Sequence, residues 1–156
     1  MDDWEVWEPL TIGNDEARLT LLDLQEFAPG SFRLPMEIAA FGPEGFERMS
    51  ARSVFDAEDW HGGWQRLAAF FDALADRAGP SSAECRCDSA NMTLRGTRNS
   101  NERLTFMARI KPRVAGDPDF TAEVSFSLDG SQMVRVSADV RKWLADRSRA
   151  YDLRER

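Results

Sequence analysis

One histidine, two cysteines and a short run of carboxylates beside a tryptophan are the side chains of this chain best suited to chemistry. His61 is the single histidine, so a serine or cysteine nucleophile would have one possible imidazole partner. It stands in Trp60-His61-Gly62-Gly63-Trp64, and no nucleophile motif surrounds any serine or cysteine. A turn or surface histidine is the simpler reading. Asp56, Glu58 and Asp59 lie beside Trp60, where two carboxylates near an aromatic could form a hydrolytic pair with one raised pKa. The same acids suit a helix N-terminus, where they interact favourably with the macrodipole, and that reading is preferred. Cys85 and Cys87 fall two apart, on one face of a strand, where disulfide geometry is not readily met. Two thiolates with one histidine cannot complete a zinc site, so reduced strand thiols and no metal are expected. Neither GxxxxGK[ST] nor GxGxxG occurs. No catalytic residue, no cofactor and no enzymatic activity are expected.

The chain has 156 residues, 42% hydrophobic and 30% charged, with net charge −7. Such a length fits a single domain over residues 1–156 that folds without disulfide or metal. Ten Phe and five Trp exclude a disordered chain. No apolar run approaches the ~20 residues of a membrane span, and the start Met-Asp-Asp-Trp-Glu does not read as a signal peptide. A cytoplasmic protein with no membrane partner is expected. Arginine outnumbers lysine 18 to 2, a skew expected of GC-rich bacterial coding.

Charge is unevenly placed. Residues 1–60 hold 14 acidic and 4 basic side chains, whereas residues 61–156 hold 13 and 16. A global deficit of this kind argues against nucleic acid. The basic residues Arg86, Arg95, Arg98, Arg103, Arg109, Lys111 and Arg113 have only Phe106 among them, which suits a polar sheet face better than a stacking platform. An acidic first third can keep a protein soluble, and it can also attract a basic protein partner. The first eight residues alternate acids with Trp4 and Trp7, and aromatic anchors dominate interface energetics. The candidate partner-binding residues are therefore Asp2, Asp3, Trp4, Glu5, Trp7 and Glu8, with Asp56, Glu58 and Asp59. An arm folded over a sheet edge accounts for the two tryptophans equally well. A pocket between sheet and helices, with His61 and Asp59 at its mouth, is the alternative, and it would make the chain a small-ligand binder or enzyme.

The elements that position these residues follow from hydrophobic period. Leu10 to Gly13 and Ala17 to Leu24 read as a hairpin turning at Asn14-Asp15, and Ala28-Pro29-Gly30 as a loop. Phe32, Leu34, Met36, Ile38 and Ala40 alternate onto one face, with Pro35 predicting an edge or a bulge. After the turn Gly42-Pro43-Glu44-Gly45, Phe46 to Phe55 continues as a strand with Met49 at a bulge. Trp64, Leu67, Ala68, Phe71, Leu74, Ala75 and Ala78 form a helical stripe ended by Gly79-Pro80. Strands follow at 83–87, 91–96, 104–110 and 120–128. Asp129-Gly130-Ser131 then opens a helix with the stripe Met133, Val136, Val140, Trp143 and Leu144, and a charged tail frays from Arg147. The two halves share a strands-then-helix plan. Short linkers between strands favour hairpins, so the fold class is α+β, an antiparallel β-sheet with two α-helices packed on one face.

The stretch 64–75 (WQRLAAFFDALA) after two long strands, the strand Leu104 to Ile110, and the ending from Phe126 through Asp129-Gly130-Ser131 to Trp143-Leu144 resemble the WapI-type bacterial immunity proteins and related uncharacterised actinobacterial domains. The resemblance spans about residues 10–145 and rests on element order and apolar spacing. It implies a non-enzymatic immunity protein that neutralises a partner toxin by binding, with no catalytic residues to carry over. The toxin domain would be basic, to match the acidic surface.

Overall fold

The structure, a computed structural model, describes residues 8–23, 25–28, 31–56, 64–76, 81–87, 92–99, 101, 103–111 and 121–154. In chain order these form β1 (Leu10–Gly13), β2 (Ala17–Leu21), β3 (Gln25–Ala28), β4 (Ser31–Phe41), β5 (Glu47–Asp56) and α1 (Trp64–Ala75). There follow β6 (Ser82–Cys87), β7 (Met92–Arg98), β8 (Leu104–Ile110), β9 (Ala122–Leu128) and α2 (Gly130–Arg154). The class is α+β and every strand pairing is antiparallel. Where one sheet was expected, the strands divide into two: a first of β1 to β5 and a second in the order β6-β7-β8-β9.

The helices are exchanged between the halves. α1 follows the first sheet but packs on β6 and β7 of the second, whereas α2 follows the second sheet and packs on β1 of the first and on α1. β9 lies over the inner face of the first sheet, meeting β1, β2, β4 and β5. Alternation predicts which face each strand buries but not which sheet it joins, so this exchange had no signal in the sequence. Its consequence is one contiguous cluster of buried side chains drawn from both sheets and both helices. At its centre, Phe70 and Phe71 of α1 meet Phe106 of β8, whose ring stacks on Phe126 of β9 at 5.0 Å between centroids. Gly96 of β7 is the point of closest approach: a Cβ there would stand 2.4 Å from Leu74 of α1.

Three local readings need correction. Pro35 lies in the central strand β4, not at an edge. Its carbonyl accepts the Leu22 N–H at 2.9 Å, where β2 ends and β3 has not begun, so the missing Pro35 N–H faces a gap in the ladder. The β5 bulge falls at Arg48, because Met49 pairs with Ala40 and Glu47 with Phe41. And α2 does not fray at Arg147: it runs to Arg154, and Arg147 is buried.

Both ends of α2's buried run are fixed by the chain itself. Asp129 Oδ1 accepts the Gln132 N–H at 2.8 Å while Gln132 Oε1 accepts the Asp129 N–H at 2.9 Å, a reciprocal capping box. The Gln132 N–H, helped by hydrogen bonds from Ser131, holds the Asp129 carboxyl below its ordinary pKa. Farther along, Trp143 Nε1 and Arg147 Nη2 both donate to the Glu8 carbonyl, at 3.0 and 2.7 Å. Between the helices, Asp72 of α1 accepts from Ser137 and pairs with Arg141, both of α2.

Candidate functional site

Two turns that are far apart in sequence meet at one end of the first sheet. Because β2 pairs with β4 in the register Ala17↔Ala40, the β1–β2 turn is carried next to the β4–β5 turn. The Phe41 N–H donates to the Glu16 carbonyl at 2.8 Å, which ties the two tips together. Each tip is also closed internally. Asn14 Oδ1 accepts the N–H groups of Glu16 and Ala17, at 2.8 and 3.0 Å. Gly42 N–H donates to the Phe46 carbonyl at 2.8 Å, and Gly45 turns the chain at φ +83°.

Gly13 has a specific part in this. Its φ is +140°, and a Cβ there would lie 2.2 Å from the Ala17 carbonyl oxygen, a backbone atom that cannot swing aside. Gly13→Ala is therefore expected to cost about 1–3 kcal/mol in stability, read from urea midpoints. It should also displace the Asn14–Glu16 tip, read as amide chemical-shift changes.

The joined tips have a distinct chemistry. Asp15, Glu16, Glu44 and Glu47 are exposed there, against two cations, Arg18 and Arg48. The Arg18 guanidinium lies over the Phe41 ring at 4.5 Å from its centroid, and its Nε donates to the Asn14 carbonyl at 3.1 Å. A hollow of about 460 Å³ opens between the tips, lined by Asp15, Glu16, Arg18, Phe41, Pro43 and Glu44. Beside it Phe46 is 73% exposed. An aromatic so open costs solvation without contributing to the core.

The outer face of the second sheet is different. Arg95 pairs with Glu84 at 2.7 Å and Arg109 with Glu123 at 3.1 Å, and Arg86 lies 3.7 Å from Glu84. Hydrogen bonding to Arg95 holds the Glu84 carboxyl below its usual range. Arg98 instead turns to α1, where its Nη2 donates to the Leu74 carbonyl at 2.6 Å. These arginines are engaged within the fold.

Of the residues singled out in sequence, Glu8 is exposed just before β1 with its carbonyl bound by α2. Asp56 ends β5 opposite Arg33. Asp2, Asp3, Trp4, Glu5, Trp7, Glu58, Asp59 and His61 lie outside the described residues. Cys85 is buried on the inner face of β6. No group of three or more His, Cys, Asp or Glu among the described residues could hold a metal ion. Phe70, Phe71, Phe106 and Phe126 pack together between α1 and the second sheet, and the mouth of the alternative pocket, His61 and Asp59, lies outside the described residues. The tips themselves read in sequence only as two turns. The signal available was the acidic bias of residues 1–60 together with a phenylalanine following a Gly-Pro-Glu-Gly turn.

No protein-family model and no curated protein sequence matches the chain. Among solved structures, the chain is similar to MRP1/MRP2 of Trypanosoma bruciei. The likeness covers 92% of this chain and 88% of that one, with a TM-score of 0.52 and 13% sequence identity. It shows a shared fold. At that identity it speaks for the two-sheet, two-helix arrangement and for nothing finer.

Proposed function

We propose that this chain is a non-enzymatic binding domain that takes a basic protein partner on the joined β1–β2 and β4–β5 tips. The observation that carries the proposal is Phe46, 73% exposed and flanked in the chain by the exposed Glu44 and Glu47. Carboxylates around such a patch speed the approach of a basic surface, and an aromatic at its centre supplies the desolvated anchor. The acidic first third of the sequence supports the same reading. The WapI-type resemblance gives it a biological form: an immunity protein of a bacterial cytoplasm that neutralises a basic toxin domain by covering it. The acidic arm of residues 2–8, with Asp56, Glu58 and Asp59, extends the proposed contact surface. The described helices include none long and apolar enough to cross a membrane.

The test is capture of the partner followed by binding kinetics. Neutralising the tip with Glu44→Gln and Glu47→Gln should slow association and flatten its salt dependence. Phe46→Ala should instead raise the dissociation rate by roughly 30-fold, the effect of losing an anchor of about 2 kcal/mol. A partner whose two rate constants ignore both changes binds elsewhere, and the proposal fails.

A further inference from the structure

One end of the first sheet carries a row of apolar side chains on its outer face. Leu21 and Leu34 are buried on the inner face, so their neighbours Leu22 and Pro35 point outward. The Leu22 N–H donates to the Pro35 carbonyl, which sets the two side by side, and Val54 lies opposite Pro35 in the register of β4 with β5. Continuing the β1–β2 register by one residue from Leu10↔Leu21 brings Pro9 next to Leu22. Leu22 and Pro35 are half-buried, and Pro9 and Val54 are exposed. A hollow of about 450 Å³ opens over this row, lined in part by Leu22, Asp23, Pro35, Arg52 and Val54. Sites of that size take small-molecule ligands, so a single indole fits.

The chain's own beginning is held at the rim of this hollow. The described residues start at Glu8, whose carbonyl accepts from both Trp143 and Arg147 of α2. Arg147 also lies 3.5 Å from Asp23, a residue of the near wall. Residues 1–7 lie outside the described residues and carry two tryptophans, Trp4 and Trp7. A segment tethered at the rim meets the hollow at an effective concentration on the order of millimolar, which a second copy or a dissolved partner rarely matches.

We infer that Trp4 seats its indole in this hollow, over Pro35 and between Leu22 and Val54, with the first residues of the chain crossing the outer face of the sheet from β1 towards β5. Reach selects the residue. Neighbouring strands stand about 4.8 Å apart, so Pro35, two strands from β1, is roughly 10 Å from the tether. The four residues from Glu8 back to Trp4 span up to roughly 13 Å, whereas Trp7 is one residue from the tether and its backbone reaches only about 3.5 Å. Charge agrees with the direction. Asp23, at the near wall, has Arg147 beside it. At the far wall Arg52 stays largely exposed despite its pair with Glu37, and Asp2 and Asp3, which precede Trp4, come to that side. Seating the indole removes it and the apolar row from water together. The joined tips lie at the other ends of β2 and β4, so the seated segment leaves them open.

Nuclear magnetic resonance of the full chain tests this. Nuclear Overhauser effects should connect the Trp4 indole to the methyl groups of Leu22 and Val54, and the ring should shift those methyls upfield. Trp4→Ala should abolish both signs while the amide spectrum of the second sheet stays in place. Val54→Asp should move the Trp4 emission, taken as the difference between spectra with and without Trp4→Phe, to longer wavelength. Methyl shifts of Leu22 and Val54 that Trp4→Ala leaves unchanged overturn the inference, and so do contacts to those methyls from Trp7 instead of Trp4. Contacts that appear between differently labelled copies, or grow with protein concentration, belong to a second chain's segment and overturn it as well.

Discussion

Phe106→Ala should lower the stability of this protein by about 3–5 kcal/mol, the range for emptying a buried aromatic site. Phe106 is 1% exposed and its ring is touched from three sides: Phe70 and Phe71 at 5.9 Å and Phe126 at 5.0 Å. These partners come from α1 and β9, elements that belong to opposite halves of the chain. The cavity would open where the exchanged helix meets the second sheet, and neither half has spare side chains to fill it. For a domain of this size the loss corresponds to roughly 6–20 °C in melting temperature, measured by calorimetry. Phe106→Leu, which retains most of the volume, should cost distinctly less. A loss below 1 kcal/mol for the alanine variant would mean that the two halves do not depend on one shared core.

Arg147→Ala should cost about 2–4 kcal/mol, an effect unusual for an arginine near a chain end. The side chain is 4% exposed, its guanidinium stacks 3.6 Å from the Trp143 ring centroid, and its Nη2 donates to the Glu8 carbonyl at 2.7 Å. Asp23 lies 3.5 Å from its Nε. The substitution removes a charge-assisted hydrogen bond and a desolvated cation–π contact together. Arg147→Met keeps most of the volume and should recover only the packing part. The two variants separate these contributions when their urea midpoints are compared. Hydrogen exchange gives a second readout: the amides of β1 should lose protection in both variants, because the Glu8 carbonyl is what α2 holds. Unchanged exchange in β1 would show that this anchor is not needed.

The sequence carried the strand faces well and their partners poorly. Leu34, Met36 and Ile38 alternate so regularly that their burial on one face followed from period alone, as did the helical run Leu67, Phe71 and Leu74. Pro35 was misplaced because its rule concerns a missing donor. That donor is not demanded where β2 gives way to β3, a feature only the fold shows. Arg147 was assigned to a fraying tail because charge near a terminus ordinarily means solvent, and the Glu8 carbonyl that receives it is far away in sequence. The acidic tips show the same limit. Asn14–Glu16 and Gly42–Glu47 are each legible as turns, but their meeting depends on β2 bonding β4 past β3. Seven of the nine residues proposed from sequence are acidic, as the tips are. Two of the nine, Glu8 and Asp56, fall among the described residues: Glu8 precedes β1 and Asp56 ends β5.

The central claim is that the joined tips bind a basic protein. It is tested most directly by capture from the source cell's lysate with two baits, the wild type and the triple variant Glu44→Gln, Phe46→Ala, Glu47→Gln. Eluates at low and high salt would be quantified by mass spectrometry. The account predicts one stoichiometric basic protein on the wild-type bait, released by high salt, and its loss from the variant. Equal recovery of that protein on both baits would contradict it.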